Sequence, residues 1–418
     1  MKKIYRKTKP VLFHNEDFQT IQVRLFFPFK RDEKQIAMMY LLPGMLHHVC
    51  SLYPTEREYT LELQKRFILS CYCSSSTFIQ DSYFQFQLTI PDIYSLKQDL
   101  LEEQFQFFSE MIYHPKMEDN HFCLEEFQRE VDNLKVDIDK TLKDTGSYAY
   151  IKAREIVEPD SEFSDTIYNH QEQIDLVTPE DLYQFYCDTI YNNQPFIYVF
   201  GNVDEKRIEN LCHRYLYRIP ITKQEFDVQM KHYLPIHSSV KDVVEKSSFR
   251  NSVYSMFYKV QDMQEEDEIL LGVIQSLLSS QSSRLLSQKL RSDYDLVYSA
   301  SSTNSSSYGL LSIVAFIHKN NIQIIKEKIL EVLEDLKKED IITPCLENIK
   351  ERNRISLIRQ LDDKYTLFRD AIIKDLGIDF TNQEYHEKLM KVTPKDVVSF
   401  MNRLVLDTQY FLEEGEHE

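Results

Sequence analysis

The strongest limit on the fold of this chain is that it repeats itself. VTPED at 177–181 returns 215 residues later as VTPKD at 392–396. Each copy opens a helical stretch (DLYQFYCDTIY, DVVSFMNRLV) and then enters an apolar run (FIYVFGN, QYFLEEG). CLEE at 123–126 is answered by CLEN at 345–348, and the HP pair at 114–115 by TP at 343–344, with offsets of 222 and 229. Upstream, YLLPGML (40–46) answers ILLGVIQ (269–275), and CSSSTFIQDSYFQFQLTI (73–90) answers SASSTNSSSYGLLSIVAFI (299–317). Five matches in one order, at nearly constant spacing, mark a duplicated unit.

Both halves read alike. An alternating strand, QVRLFFPF (22–29) or SVYSMFYKV (252–260), leads into a helix expected over 34–50 or 265–280. A second helix is expected at 55–69 or 282–291, followed by a strand at 83–90 or 309–317 bounded by serine-rich turns. A long helix, 93–113 or 321–338, repeats its apolar residues at i, i+3 and i+4. Thr178 and Thr393 each precede a proline, the pattern of an N-cap with Pro at the first helical position. The expected fold is α+β: two tandem homologous halves, each an antiparallel-rich sheet covered by helices. The boundaries fall at 1–218 and 248–418, with the polar, proline-bearing segment 219–247 as linker.

Composition excludes several activities. Only seven glycines occur, at 44, 146, 201, 272, 309, 377 and 415. Phosphate-cradling loops need glycines a few residues apart, so dinucleotide fingerprints and Walker loops are ruled out. The 49 lysines and arginines stand against 67 aspartates and glutamates, a net charge of −18, the wrong sign for nucleic acid or an anionic membrane surface. Seven scattered cysteines form no CxxC pair and support neither a zinc ribbon nor a disulfide framework. The longest apolar stretch, AMMYLLPGML at 37–46, is too short to cross a bilayer, and the basic N-terminus lacks the apolar core of a signal peptide. A reduced, cytoplasmic protein is the expectation.

Two tandem α+β halves of this size resemble the inverzincin family of insulinase, pitrilysin and the mitochondrial processing peptidases. The resemblance runs from about residue 20 to 412 and implies a fold of the processing-peptidase, half-clam kind. In that family a first-half helix carries H-x-x-E-H, two histidines binding zinc and a glutamate activating its water, with a distal acid on a later helix. The motif laid on GMLHH places Gly44 at the first ligand, His47 at the general base and His48 at the second ligand. Glu125, Glu126, Glu130 and Asp137 are the candidates for the distal acid. In the second half, SSRLLSQKLRSDYDLVYSASS (282–302) matches the family's substrate-holding pattern at Arg291 and Tyr298, with Arg284 on its earlier arginine.

A degraded metal motif beside an intact substrate-holding motif resembles the non-catalytic bacterial subunits of this family. The resemblance implies no metal or cofactor of its own, zinc in an active H-x-x-E-H homologue as partner, and a peptide substrate oriented by Arg291 and Tyr298, as in leader-peptide or bacteriocin maturation. Two other readings remain open at this point. One is a scaffold for a peptide modification or export system. The other is a self-sufficient hydrolase whose unusual metal site uses His47, His48 and an acid from 125–137.

Overall fold

The structure, a computed structural model, describes residues 2–79, 81–92, 98–220, 224–279, 285–294 and 296–415. Its strands, in chain order, are β1 Lys2–Arg6, β2 Val11–His14, β3 Thr20–Lys30, β4 Ser70–Phe78, β5 Asp81–Pro91, β6 Met117–Glu118, β7 His121–Phe122 and β8 Phe196–Gly201. They continue with β9 Gln224–Val228, β10 Lys241–Lys246, β11 Ser252–Val260, β12 Val297–Ser305, β13 Leu310–Ile317 and β14 Leu404–Glu413.

The duplication is written into the topology. One five-stranded sheet has the order β2-β8-β3-β5-β4, the other β10-β14-β11-β13-β12. Replacing each strand by its counterpart turns the first order into the second. Both sheets are antiparallel except at one edge, where β2 lies parallel to β8 and β10 parallel to β14. The α+β fold of two like halves is therefore observed, with one parallel pair per sheet.

The chain divides into two compact units, and each borrows sequence from the other half. The first holds Met1–Asp139, Thr166–Met230 and Phe368–Ile378; the second holds Lys140–Asp165, Lys231–Leu367 and Asp379–Glu418. Within the segment read as a linker, β9 pairs antiparallel with β1, and β10 is an edge strand of the second sheet.

The helices needed below are α1 Glu33–Met45, α2 Glu56–Lys65, α3 Leu101–Tyr113, α4 Leu124–Lys143 and α5 Thr145–Val157. All nine residues of β11 are buried, so this strand needs apolar cover on both faces. Leu271, Ile274 and Leu277 of the Glu268–Ser279 helix cluster with Tyr254 and Met256. Ala149, Ala153 and Val157 of α5 cluster with Val253 and Phe257 of β11 and Tyr410 and Leu412 of β14. The second unit is thus helix on sheet on helix.

Two expectations need correction. The serine-rich stretches beside 83–90 and 309–317 are strands, β4 and β12, not turns. Both are edge strands, where a serine facing water costs little, and Cys71 and Cys73 supply inward-facing apolar groups on β4. The first helix stops at Met45, five residues short of the expected end. The caps match their expectation: Thr178 accepts from the Asp181 N–H and Thr393 from the Asp396 N–H, each followed by proline. Among the described residues no helix is long and apolar enough to cross a membrane.

The second sheet also buries charge. Lys259 on β11 has a side chain only 1% exposed, and its ammonium lies 3.2 Å from both Asp407 Oδ2 and Glu158 Oε2 and donates to the Pro235 carbonyl at 2.6 Å. Asp407 in turn accepts from the His237 backbone N–H at 2.9 Å and the Thr408 hydroxyl at 2.8 Å. Burial alone would push the Asp407 carboxyl up, but these hydrogen bonds and the Lys259 charge hold it below the usual carboxylate value. Lys259→Met removes the cation while keeping the apolar stem, which strands a buried carboxylate. Denaturant melts should show a loss of about 3–5 kcal/mol; a change within about 0.5 kcal/mol would contradict the reading. Because the folded pKa of Asp407 is depressed, its stabilisation is present above the ordinary value of 3.8 and lost as pH falls through the folded value. Asp407→Asn should remove that part of the acid limb of the stability curve.

Candidate functional site

The metal motif of the family belongs on α1, and α1 begins well. Asp32 accepts from the Gln35 N–H, and the Gln35 side chain answers the Asp32 N–H, a full capping box. Ile36, Ala37, Met39, Leu41, Leu42 and Met45 are buried. The helix ends where Pro43 and Gly44 weaken its last turn. The Leu46 N–H is shared between the Leu42 and Pro43 carbonyls at 3.2 Å, and His48 then turns left-handed with φ 74°.

That ending decides the chemistry. Two imidazoles grip one zinc ion when they stand at i and i+4 on the same helical face. Position 44 has no side chain, and His48 lies beyond the helix, so 44 and 48 share no face. The rings of His47 and His48 stack on each other instead, with centroids 3.7 Å apart and planes 10° from parallel. Burial, reinforced by the charge of His48, pushes the His47 pKa down to about 4, so it is a neutral imidazole near neutral pH.

The structure also separates the four candidate distal acids. A Cβ built on Gly44 would lie 2.8 Å from Glu130 Cδ, and its three nearest heavy atoms all belong to Glu130. The Glu130 carboxyl group of α4 therefore lies over the backbone of α1, where a first-ligand imidazole would project. Its other oxygen is 3.4 Å from Arg129 Nε. Glu126 is instead paired with Lys116 at 2.7 Å. Glu125 lines an open surface groove with Glu118, Leu124, Gln128, Arg129 and Asp132, and Asp137 lies further along α4. Position 130 was indistinguishable from its neighbours in sequence, because only packing of α4 on α1 singles it out.

Zinc does not fit these residues. The Glu130 carboxylate lies against position 44, that position carries no imidazole, and His48 lies beyond the helix end with its ring stacked on His47. Among the described residues no three His, Cys, Asp or Glu side chains gather closely enough to hold an ion. Four of the buried cysteines are poorly suited to act as nucleophiles instead. Burial raises Cys50, pushes Cys71 up to about 12, and lifts Cys73 and Cys212 far above the usual thiol range.

The second-half motif falls at one edge of the second sheet. Arg291 is exposed on the Gln288–Asp293 helical turn. The Leu296 N–H then donates to the Leu290 carbonyl at 2.8 Å, turning the chain back into β12. Tyr298, second residue of that edge strand, is 58% exposed. No hydrogen bond or ion pair joins either side chain to another described residue, and Arg284 lies outside the described residues.

A two-unit α+β fold whose candidate metal position carries glycine beside a stacked histidine pair is what fold and site define together. Residues 176–352 match the family description "Peptidase M16 inactive domain". Along 95% of its length the chain is 21% identical to a Bacillus subtilis protein described as "Probable inactive metalloprotease YmfF", of which it covers 93%. Over residues 176–352, and along its length to this one relative, the chain is thus similar to inactive members of the peptidase M16 family. A conserved protein from Enterococcus faecalis V583 has the same fold, with a TM-score of 0.84 at 19% identity and full coverage of both chains. The periplasmic protease PqqL from Escherichia coli superposes with a TM-score of 0.70 at 13% identity, over 99% of this chain but only 48% of its own.

The stacked histidine pair gives a direct check. In an NMR titration the His47 ring should titrate near pH 4. Its folded pKa is depressed, so folding strengthens as pH rises from about 4 to 6.5, and that contribution is lost on acidification through this window. A midpoint near 6.5 would show that His47 is solvated and not packed as described.

Proposed function

We propose that this chain is the non-catalytic subunit of a two-subunit zinc peptidase, pairing with an active H-x-x-E-H homologue and helping to hold a peptide for cleavage. The observation that carries the reading is an asymmetry within one chain. The first unit has no metal position that can work, whereas the second presents an exposed guanidinium and phenol on the family's substrate-holding pattern. Side chains that serve only packing are expected to be buried, and these two are exposed.

The periplasmic protease PqqL is matched by this chain over 48% of its own length, and a protease from Helicobacter pylori over 99% of its length. In the closed pair, Arg291 would donate to a substrate carbonyl, and the Tyr298 hydroxyl would donate to the same or a neighbouring oxygen. Extended peptide is a natural ligand for an edge strand, and β12 is one, although its Ser302 N–H and carbonyl are already taken by Ser279 and Gln275. The net charge of −18 favours basic peptides. Maturation of a leader or modified peptide in the cytoplasm is a pathway consistent with this chemistry.

The test is reconstitution. Mixed with the active homologue, wild-type chain should raise cleavage of a basic peptide, and each chain alone should be inactive. Arg291→Ala and Tyr298→Phe should each lower kcat/KM of the mixture by about 10- to 100-fold, the worth of one hydrogen bond to a charged or developing-charge group. Unchanged cleavage by both variants would remove the substrate role. A complex that forms without any cleavage would favour the scaffold reading.

A further inference from the structure

We propose that zinc is excluded from this chain by the path of its backbone after Met45, and not only by the residues standing at 44 and 47. On composition alone the site is one side chain short. Gly44→His would assemble two histidines and one carboxylate, with His48 and Glu130 already present, and two-histidine, one-glutamate sets are a common catalytic zinc environment. The Glu130 carboxylate is already over position 44 and, as the end of a flexible side chain, can swing to admit a ring there. What does not follow from composition is the direction of His48.

For His48 to join the set, residues 44 to 48 must form one further helical turn. The chain beyond that point is anchored in another arrangement. Val49 is 4% and Cys50 1% exposed, so both are core residues of the first unit. The Cys50 and Tyr53 N–H groups each donate to the other's carbonyl at 3.1 Å. The Ser51 N–H donates to the His114 carbonyl at 2.8 Å, and its hydroxyl to the Pro115 carbonyl at 2.7 Å. Winding 46–48 into the helix would rotate and shorten the chain ahead of these anchors, pulling Val49 and Cys50 from their places. The left-handed turn at His48 is where the path is reconciled: a side-chain-bearing residue accepts a conformation costing roughly 1–2 kcal/mol so that Val49 and Cys50 stay buried.

This inference stands on the first unit alone and does not depend on the partner proposed above. Gly44→His, alone and combined with His47→Glu, is purified, stripped with chelator and exposed to equimolar zinc, then to cobalt. Circular dichroism and the melting temperature establish that each variant is folded. The expected result is zinc content no higher than wild type and no tetrahedral cobalt spectrum. About one zinc per chain, lost on adding His48→Ala to Gly44→His, would overturn the proposal. Should the 44 variants fail to fold, His48 in the wild type gives an independent readout. Its backbone NMR shifts and couplings should report a left-handed residue unchanged by excess zinc, and helical values there would overturn the inference equally.

Discussion

The architecture rests on strands that have no wet face. β11 is buried along its full length and β8 likewise, so each sheet must be covered by helices on either side, and the helices take their places from that requirement. The duplication follows the same logic, since each copy keeps the strand order that buries its central strands. The exchange of 140–165 and 368–378 between the units is part of the same demand: α5 comes from the first half of the sequence yet covers β11 and β14 of the second sheet.

Against this background the first unit shares a fold with proteins described as proteases, while its position 44 carries glycine where the resemblance puts a metal ligand. α1 is capped, buried and in its place, and α4 brings Glu130 over it. The difference lies in one turn of helix. An ordinary α-helix continued through 48 would give His48 the direction a ligand needs, and here the chain has already turned away. The core that holds the fold and the turn that would aim the ligands are separate structural elements, so one can change without the other.

Much of this was legible in the sequence. The repeated VTPED/VTPKD segments, with their proline-assisted caps, located equivalent helices in both halves, and the alternation in 22–29 and 252–260 located the central strands. The degeneracy of GMLHH was visible as residue types. Three things were not. β4 and β12 read as turns because serine marks loops statistically, while an edge strand tolerates it physically. The early end of α1 was hidden because Met45, Leu46 and Val49 continue an apolar pattern compatible with helix; the weak last turn at Pro43 and Gly44 and the anchoring of Cys50 and Ser51 together stop it. Glu130 could not be told from Glu125, Glu126 or Asp137, since which acid of a polar helix faces inward depends on how α4 packs on α1.

The central claim, that this chain cannot assemble a hydrolytic metal centre by itself, is tested most directly by calorimetric titration of the purified wild-type chain with zinc at neutral pH, followed by a peptide-cleavage assay on the same sample. The account predicts no saturable site and no cleavage above background. A single stoichiometric site accompanied by turnover that a chelator abolishes would contradict it.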